Sequence, residues 1–133
     1  MAERVYCLYR GKDQESILMQ KNTCHDFAEK KGWNIVGEEQ EIGVSGYKVS
    51  ADDLVKLQRI RKAAEQGEFD ILLVFMYDRL GRNLNETPFI AEWFTKKGIH
   101  VWSVYEGEII DGVDAERMLD CIRFWQTDEA QKL

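Results

Sequence analysis

The stretch from Phe69 to Arg82 reads FDILLVFMYDRLGR, an almost uninterrupted apolar run that stops at an acid, two arginines and a glycine. A strand with one wet face alternates apolar and polar residues, whereas a continuous run of Ile, Leu, Val and Phe suits a strand covered on both faces, as in the middle of a parallel sheet. Phe69 to Tyr77 is therefore expected to be a central parallel strand. Asp78-Arg79-Leu80-Gly81-Arg82 then lies at its carboxyl end, where open α/β sheets bind ligands.

Working outward, helices and further strands flank this run. Upstream, Ser50 and Asp53 form an S-x-x-D capping box ahead of Leu54, Leu57, Ile60 and Ala64, a helix expected to end at Gly67. Downstream, Thr87 is expected to cap a helix with Pro88 at its first position, closing at Gly98, and Ile99 to Tyr105 supplies the next strand. At the front of the chain, Val5 to Tyr9 reads as a strand. A helix from Ser16, its expected N-cap, to Lys31 follows, with Ile17, Gln20, Cys24, Phe27 and Ala28 on one stripe that is polar only at Gln20. Gly32 stops it, and Trp33 to Val36 is the second strand. Gly37 to Val49 carries three glycines and little periodicity, so it is expected to be a loop, and long loops in compact domains are often functional. The alternation predicts a layered α/β domain with a mainly parallel sheet of about four strands flanked by helices. In Ala115 to Leu133, the residues Met118, Cys121, Ile122 and Trp125 fall at helical spacing with no stop signal. The expectation is one domain over residues 1–112, with 113–133 opening a long helix of a larger protein.

At 133 residues the chain has the size of one domain. Its 18 basic against 24 acidic residues give a net charge of −6, which argues against a whole surface that holds nucleic acid or anionic lipid, while leaving room for a local basic patch. No apolar run is long enough to span a bilayer and no signal peptide is visible, so the reading is cytoplasmic with no membrane partner. Cys7, Cys24 and Cys121 are an odd, widely spaced set that reads as buried small residues in a reducing compartment rather than a disulfide framework. His25 and His100 have no metal-ligand spacing, so neither a metal nor another cofactor is expected, and His25 reads as a helix-surface residue.

The chain has no G-x-G-x-x-G and no G-x-x-x-x-G-K-[ST], which disfavours a nucleotide-binding domain. A phosphoacceptor receiver would want acids at the ends of the first and central strands, but here Arg79 stands beside the candidate acid, Asp78. Arg79 and Arg82 lie three apart and share a face if the backbone turns helical, so they could fork onto one phosphate. A solvated charged loop is the plainer alternative.

FDILLVFMYDRLGR resembles the signature of serine recombinases of the resolvase and invertase group, in which an apolar strand leads into D-R-L-x-R. Other pieces fall in matching order. Lys12-Asp13-Gln14 and Ser16-Ile17-Leu18-Met19-Gln20, in a block that starts at Tyr6, resemble the group's S-T-x-x-Q and S-I-x-x-Q pieces. Glu41-Ile42-Gly43-Val44-Ser45-Gly46 is similar to its D-x-x-I-S-G loop, and Gly67-Glu68-Phe69-Asp70 precedes the central strand. The large serine recombinases of mobile elements, such as transposons, are the most similar. The resemblance implies a three-layer resolvase-like domain with Tyr6, Gln20, Ser45, Asp78, Arg79 and Arg82 at family site positions, and Ala115 to Leu133 as the start of a dimerising helix. It also implies site-specific DNA strand exchange: a serine attacks a phosphodiester without metal, forming a phosphoseryl link, while arginines stabilise the developing charge. Partners would be DNA, contacted mainly beyond this region, and further subunits in a homodimer or tetramer.

The resemblance breaks at its centre. The group's Y-x-R-V-S-T, counted from Tyr6, puts Leu8 at the active-site arginine and Arg10 at the nucleophilic serine. Slipping the register by two keeps an arginine but puts Lys12 at the serine. Neither register supplies a nucleophile, since arginine stays protonated and has no lone pair to offer. Two further family arginines fall on Leu54 and Ala130. Ser16, Ser45 and Tyr9 have no evident activating base, with Tyr9 expected to point opposite to Leu8, and Arg10 is expected to pair with Asp13 or Asp78 if it does not hold a phosphate. Three readings stand: a recombinase-type domain without cleavage that works by assembly, either as a partner of an active recombinase or as a DNA-bound structural subunit; an active recombinase with a relocated nucleophile; and a flavodoxin-like binding or oligomerisation module.

Overall fold

The computed structural model describes residues 3–42, 51–80 and 86–109. Nine elements follow one another there: β1 (Arg4–Gly11), α1 (Gln14–Lys31), β2 (Asn34–Ile42), α2 (Ala51–Glu65), β3 (Ile71–Val74), a single 3-10 turn (Tyr77–Arg79), α3 (Glu86–Lys96), β4 (His100–Ser103) and β5 (Gly107–Ile109). The sheet order is β2-β1-β3-β4-β5. The first four strands run parallel, and β5 turns back antiparallel to β4.

Alternation along β1 sorts its side chains between two cores. Val5, Cys7 and Tyr9 join Ile17 and Cys24 of α1 with Ile71 and Leu73 of β3. Leu8 faces the other way, among Ile60, Ala63 and Ala64 of α2, Ile90, Ala91 and Phe94 of α3, and Leu72 and Val74 of β3. One helix therefore covers one face of the sheet and two cover the other, so β3 is apolar at every position because neither of its faces meets water.

Several boundaries depart from the sequence reading. The strand core of the apolar run is only Ile71–Val74; Phe75 stays buried beyond it, and Tyr77 already begins the 3-10 turn. The second strand continues to Ile42 and takes up the first part of the expected loop, because the parallel ladder with β1 runs on to Gly11 opposite Ile42. A fifth strand is present, three residues long, too short for a periodicity signal. The α1 cap is Asp13, whose Oδ1 accepts from the Ser16 amide at 2.8 Å, so Ser16 lies inside the first turn. Helix α3 begins at Glu86, which puts Thr87 and Pro88 within it.

Two glycines mark close approaches. A Cβ on Gly37 of β2 would stand 2.4 Å from Cε2 of Tyr6, so the Tyr6 ring lies directly against that backbone. At the end of β1, a Cβ on Gly11 would meet Ser16 Oγ at 2.6 Å. The start of α1 is thus packed tightly against the strand end that carries Arg10.

Candidate functional site

Because β1, β2 and β3 are parallel, their carboxyl ends share one edge of the sheet. Arg10 lies there opposite Glu41, and the Tyr77–Arg79 turn follows β3 at the same edge.

Arg10 is fixed twice. Its Nε donates to Glu41 Oε2 at 2.5 Å, and the Glu41 side chain is only 5% exposed. The backbone of Arg10 is held by Gln20, the single polar residue in the α1 stripe. Gln20 Nε2 donates to Arg10 O at 2.7 Å, the Arg10 amide donates to Gln20 Oε1 at 3.2 Å, and Gln20 is fully buried. The cause is the unequal length of the strands. The β1–β3 ladder stops with Leu8 opposite Val74, and the Gln20 amide serves Arg10 as the next strand residue otherwise would. Gln20 also donates to Ser16 Oγ at 3.3 Å. Arg10 thus pairs with Glu41, the Asp13 carboxylate is engaged as the α1 cap, and the Asp78 side chain lies outside what the structure describes.

Leu8, Arg10, Glu41, Lys56, Leu57 and Ile60 line a small pocket of about 10 Å³, room for a single water. Lys56 Nζ donates to the carbonyl of Gln40. Leu8 itself is 4% exposed and wholly part of the larger core.

Arg79 is half-buried in its turn, where its amide donates to Met76 O at 2.9 Å, and the buried Leu80 anchors the turn behind it. The backbone of Asp78 belongs to the same turn. Ser45 and Arg82, like Ala130 and Cys121, lie outside the described residues. Tyr6 is on the Leu8 face but four residues before Arg10, about 13 Å away along the strand. Its hydroxyl donates to Glu39 Oε1 at 3.4 Å, and burial together with that carboxylate pushes it up to about 12.

Tyr9 points away from Leu8, as expected, into the α1 face. Its hydroxyl donates to Glu38 Oε2 at 2.6 Å, and the same oxygen lies 2.8 Å from His25 Nε2. Burial opposes ionisation of Glu38, but the Tyr9 and His25 contacts outweigh it and hold this carboxyl below the usual glutamate value. Burial raises the Tyr9 hydroxyl and pushes the Cys7 thiol up to about 12. Among the described residues no group of three or more His, Cys, Asp or Glu side chains could hold a metal ion, and no helix is long and apolar enough to cross a membrane.

Two contributors escape a reading of the sequence. Glu41 sits opposite Arg10 only through the β1–β2 register, and Lys56 reaches the pocket only because α2 packs over Leu8. A third group, the Glu106 carboxylate that receives the Tyr77 amide at 3.1 Å, comes from 29 residues away.

The family model described as Resolvase, N terminal domain, matches residues 10–129. The chain belongs to the resolvase family. Solved structures agree with a resolvase-family serine recombinase catalytic domain. The N-terminal catalytic domain of TP901-1 integrase is 25% identical with a TM-score of 0.72, and the match covers 95% of this chain and 98% of that one. The C-terminal catalytic domain of ISC1926 TnpA, an IS607-like serine recombinase, is 25% identical with a TM-score of 0.66, covering 77% of this chain and 70% of that one. A resolvase family site-specific recombinase from Streptococcus pneumoniae shares the fold at 19% identity and a TM-score of 0.72, covering 98% of this chain and 92% of that one. No curated protein matches the chain. Membership of this resolvase family implies interaction with DNA and oligomerisation in general terms.

Proposed function

We propose that this resolvase-family domain takes part in DNA recombination by assembly on DNA rather than by cutting it, as a partner of an active recombinase or as a structural subunit. The supporting observation is the state of the residue at the nucleophile position. Arg10 offers no lone pair for attack on phosphorus, its guanidinium is tied to Glu41, and its backbone is clamped by Gln20. The position two before it, where the family carries an arginine, is a core leucine.

The hydroxyls of Tyr9, Tyr6 and Ser16 are each hydrogen-bonded. Tyr9 reaches Glu38 on the opposite face, Tyr6 reaches Glu39, and Ser16 accepts from Gln20. Arg79 retains a family position at the strand ends, where a cation serves to hold a DNA phosphate in place. Within this reading, residues 113–133 open a dimerising helix, the working form is a homodimer or tetramer in the cytoplasm, and most DNA contacts lie beyond residues 1–112. A net charge of −6 fits such a division.

The test is incubation of the protein with a nicked suicide DNA substrate, followed by denaturing electrophoresis. The expected result is DNA binding that weakens as salt rises, with no covalent protein–DNA adduct. An adduct that disappears when one hydroxyl residue, Ser45 included, is substituted would overturn the reading in favour of a relocated nucleophile. Absence of any DNA binding at low salt would favour a flavodoxin-like binding module instead.

A further inference from the structure

The 3-10 turn that carries Arg79 begins without a cap of its own: Met76 precedes it in an extended conformation and makes no side-chain cap hydrogen bond. The cap comes from the tip of the β4–β5 hairpin. Glu106 Oε1 accepts from the Tyr77 amide at 3.1 Å, and Glu106 is itself held by Ser103, whose Oγ accepts from the Glu106 amide at 2.8 Å and lies 3.4 Å from Glu106 Oε1. Ser103 is fully buried, so this anchor does not wander. A second link runs the same way, from the buried Tyr77 hydroxyl to the carbonyl of Gly107, the first residue of β5. Next to it the rings of Phe75 and Tyr105 meet edge to face with centroids 5.0 Å apart. Every residue from Phe75 to Tyr77 with a contact to the hairpin thus meets it within the few residues before Arg79.

We propose that Glu106 is a positioning residue for Arg79: it sets the first residue of the turn that presents Arg79, and so makes the aim of that arginine depend on where the β4–β5 hairpin lies. The proposal rests on the reading of Arg79 as a phosphate-facing group. Its physical basis is that a carboxylate on the leading amide of a helical turn satisfies a donor that nothing within the turn can reach. The arginine turn and the β4–β5 hairpin are in this way joined through one carboxylate and one hydroxyl.

Hydrogen exchange followed residue by residue in the whole protein tests this. In Glu106→Ala, the amides of Tyr77, Arg79 and Leu80 are expected to exchange about tenfold faster, while Leu8 and Leu72 in the sheet exchange as before. Glu106→Gln, which retains an acceptor for the Tyr77 amide, is expected to restore slow exchange. Unchanged exchange in the turn, or an equal rise across the whole sheet, would overturn the proposal, as would failure of the glutamine variant to rescue. Should Glu106→Ala not fold, Tyr77→Phe supplies the same readout through the second link, and slow exchange in its turn counts against the coupling. DNA affinity measured in parallel separates the two ideas. A wild-type protein that binds no DNA refutes the phosphate-facing role of Arg79, whereas the exchange data still decide whether Glu106 sets its turn.

Discussion

Gln20 shows how one residue can break a pattern and still be required by it. Its stripe on α1 is otherwise apolar, and it is fully buried, yet its side chain hydrogen-bonds both backbone groups of Arg10 and the Ser16 hydroxyl. Replacing it with a leucine of similar size leaves a donor and an acceptor of Arg10 away from water without these partners, at about 2 kcal/mol or more. Urea denaturation of Gln20→Leu is expected to show that loss as a lowered midpoint with an unchanged slope. Glu38 gives a second prediction at this scale. Its folded value lies below its ordinary 4.5, because the Tyr9 hydroxyl and His25 favour the carboxylate more than burial disfavours it. The unfolded chain then binds the proton more readily, so the contribution is present above pH 4.5 and is lost as pH falls through the folded value. Stability measured from pH 7 down to 3 should therefore decline less steeply in Glu38→Gln than in the wild type.

At the scale of elements, β1 and β2 approach closely at Tyr6 and Gly37, where a substitution can probe the contact. Gly37→Ala puts a methyl group 2.4 Å from the Tyr6 ring, which must move off Phe69, its neighbour at 5.2 Å between centroids. Overpacking of this kind costs about 1–3 kcal/mol. In Tyr6→Ala the same glycine substitution should cost much less, and thermal melting of the two single variants and the double variant measures that coupling. Neither partner is legible from sequence, since Tyr6 and Gly37 meet only through the register. What was legible is what depends on local pattern: the buried β3 run, the faces of α1 and α2, and the breaks at Gly32 and Gly67. The N-terminal caps were harder, because Asp13 and Ser16 are both good capping residues three apart and only the backbone decides between them. The fifth strand was missed because three residues carry no period. At the site, the positions of Arg10 and Gln20 in their motifs were readable, whereas Glu41 and Glu106 act across 31 and 29 residues of chain.

For the whole molecule, the two residues that the family resemblance sets at the nucleophile and arginine positions, Arg10 and Leu8, are part of what holds the fold together. Leu8 belongs to the core that joins α2, α3 and the sheet, and Arg10 links the end of β1 to β2 through Glu41 and to α1 through Gln20. Reversal toward the family pattern therefore acts on stability before it acts on chemistry. Leu8→Arg places a charge at a position 4% exposed and should cost about 3 kcal/mol or more. Arg10→Ser returns a hydroxyl but takes a guanidinium away from a carboxylate that is 5% exposed, and a buried charge deprived of a partner costs about 3 kcal/mol. Adding Glu41→Gln to Arg10→Ser removes that charge and should recover most of the loss in a thermal melt. Neither Arg10→Ser nor the double variant is expected to form a covalent adduct with nicked suicide DNA, because a serine at position 10 has beside it a core leucine where the family places an arginine to stabilise the developing phosphate charge. An adduct from Arg10→Ser alone would mean that Arg79 and its neighbours suffice for transition-state stabilisation, and that the replacement of one residue is what separates this domain from a cleaving recombinase.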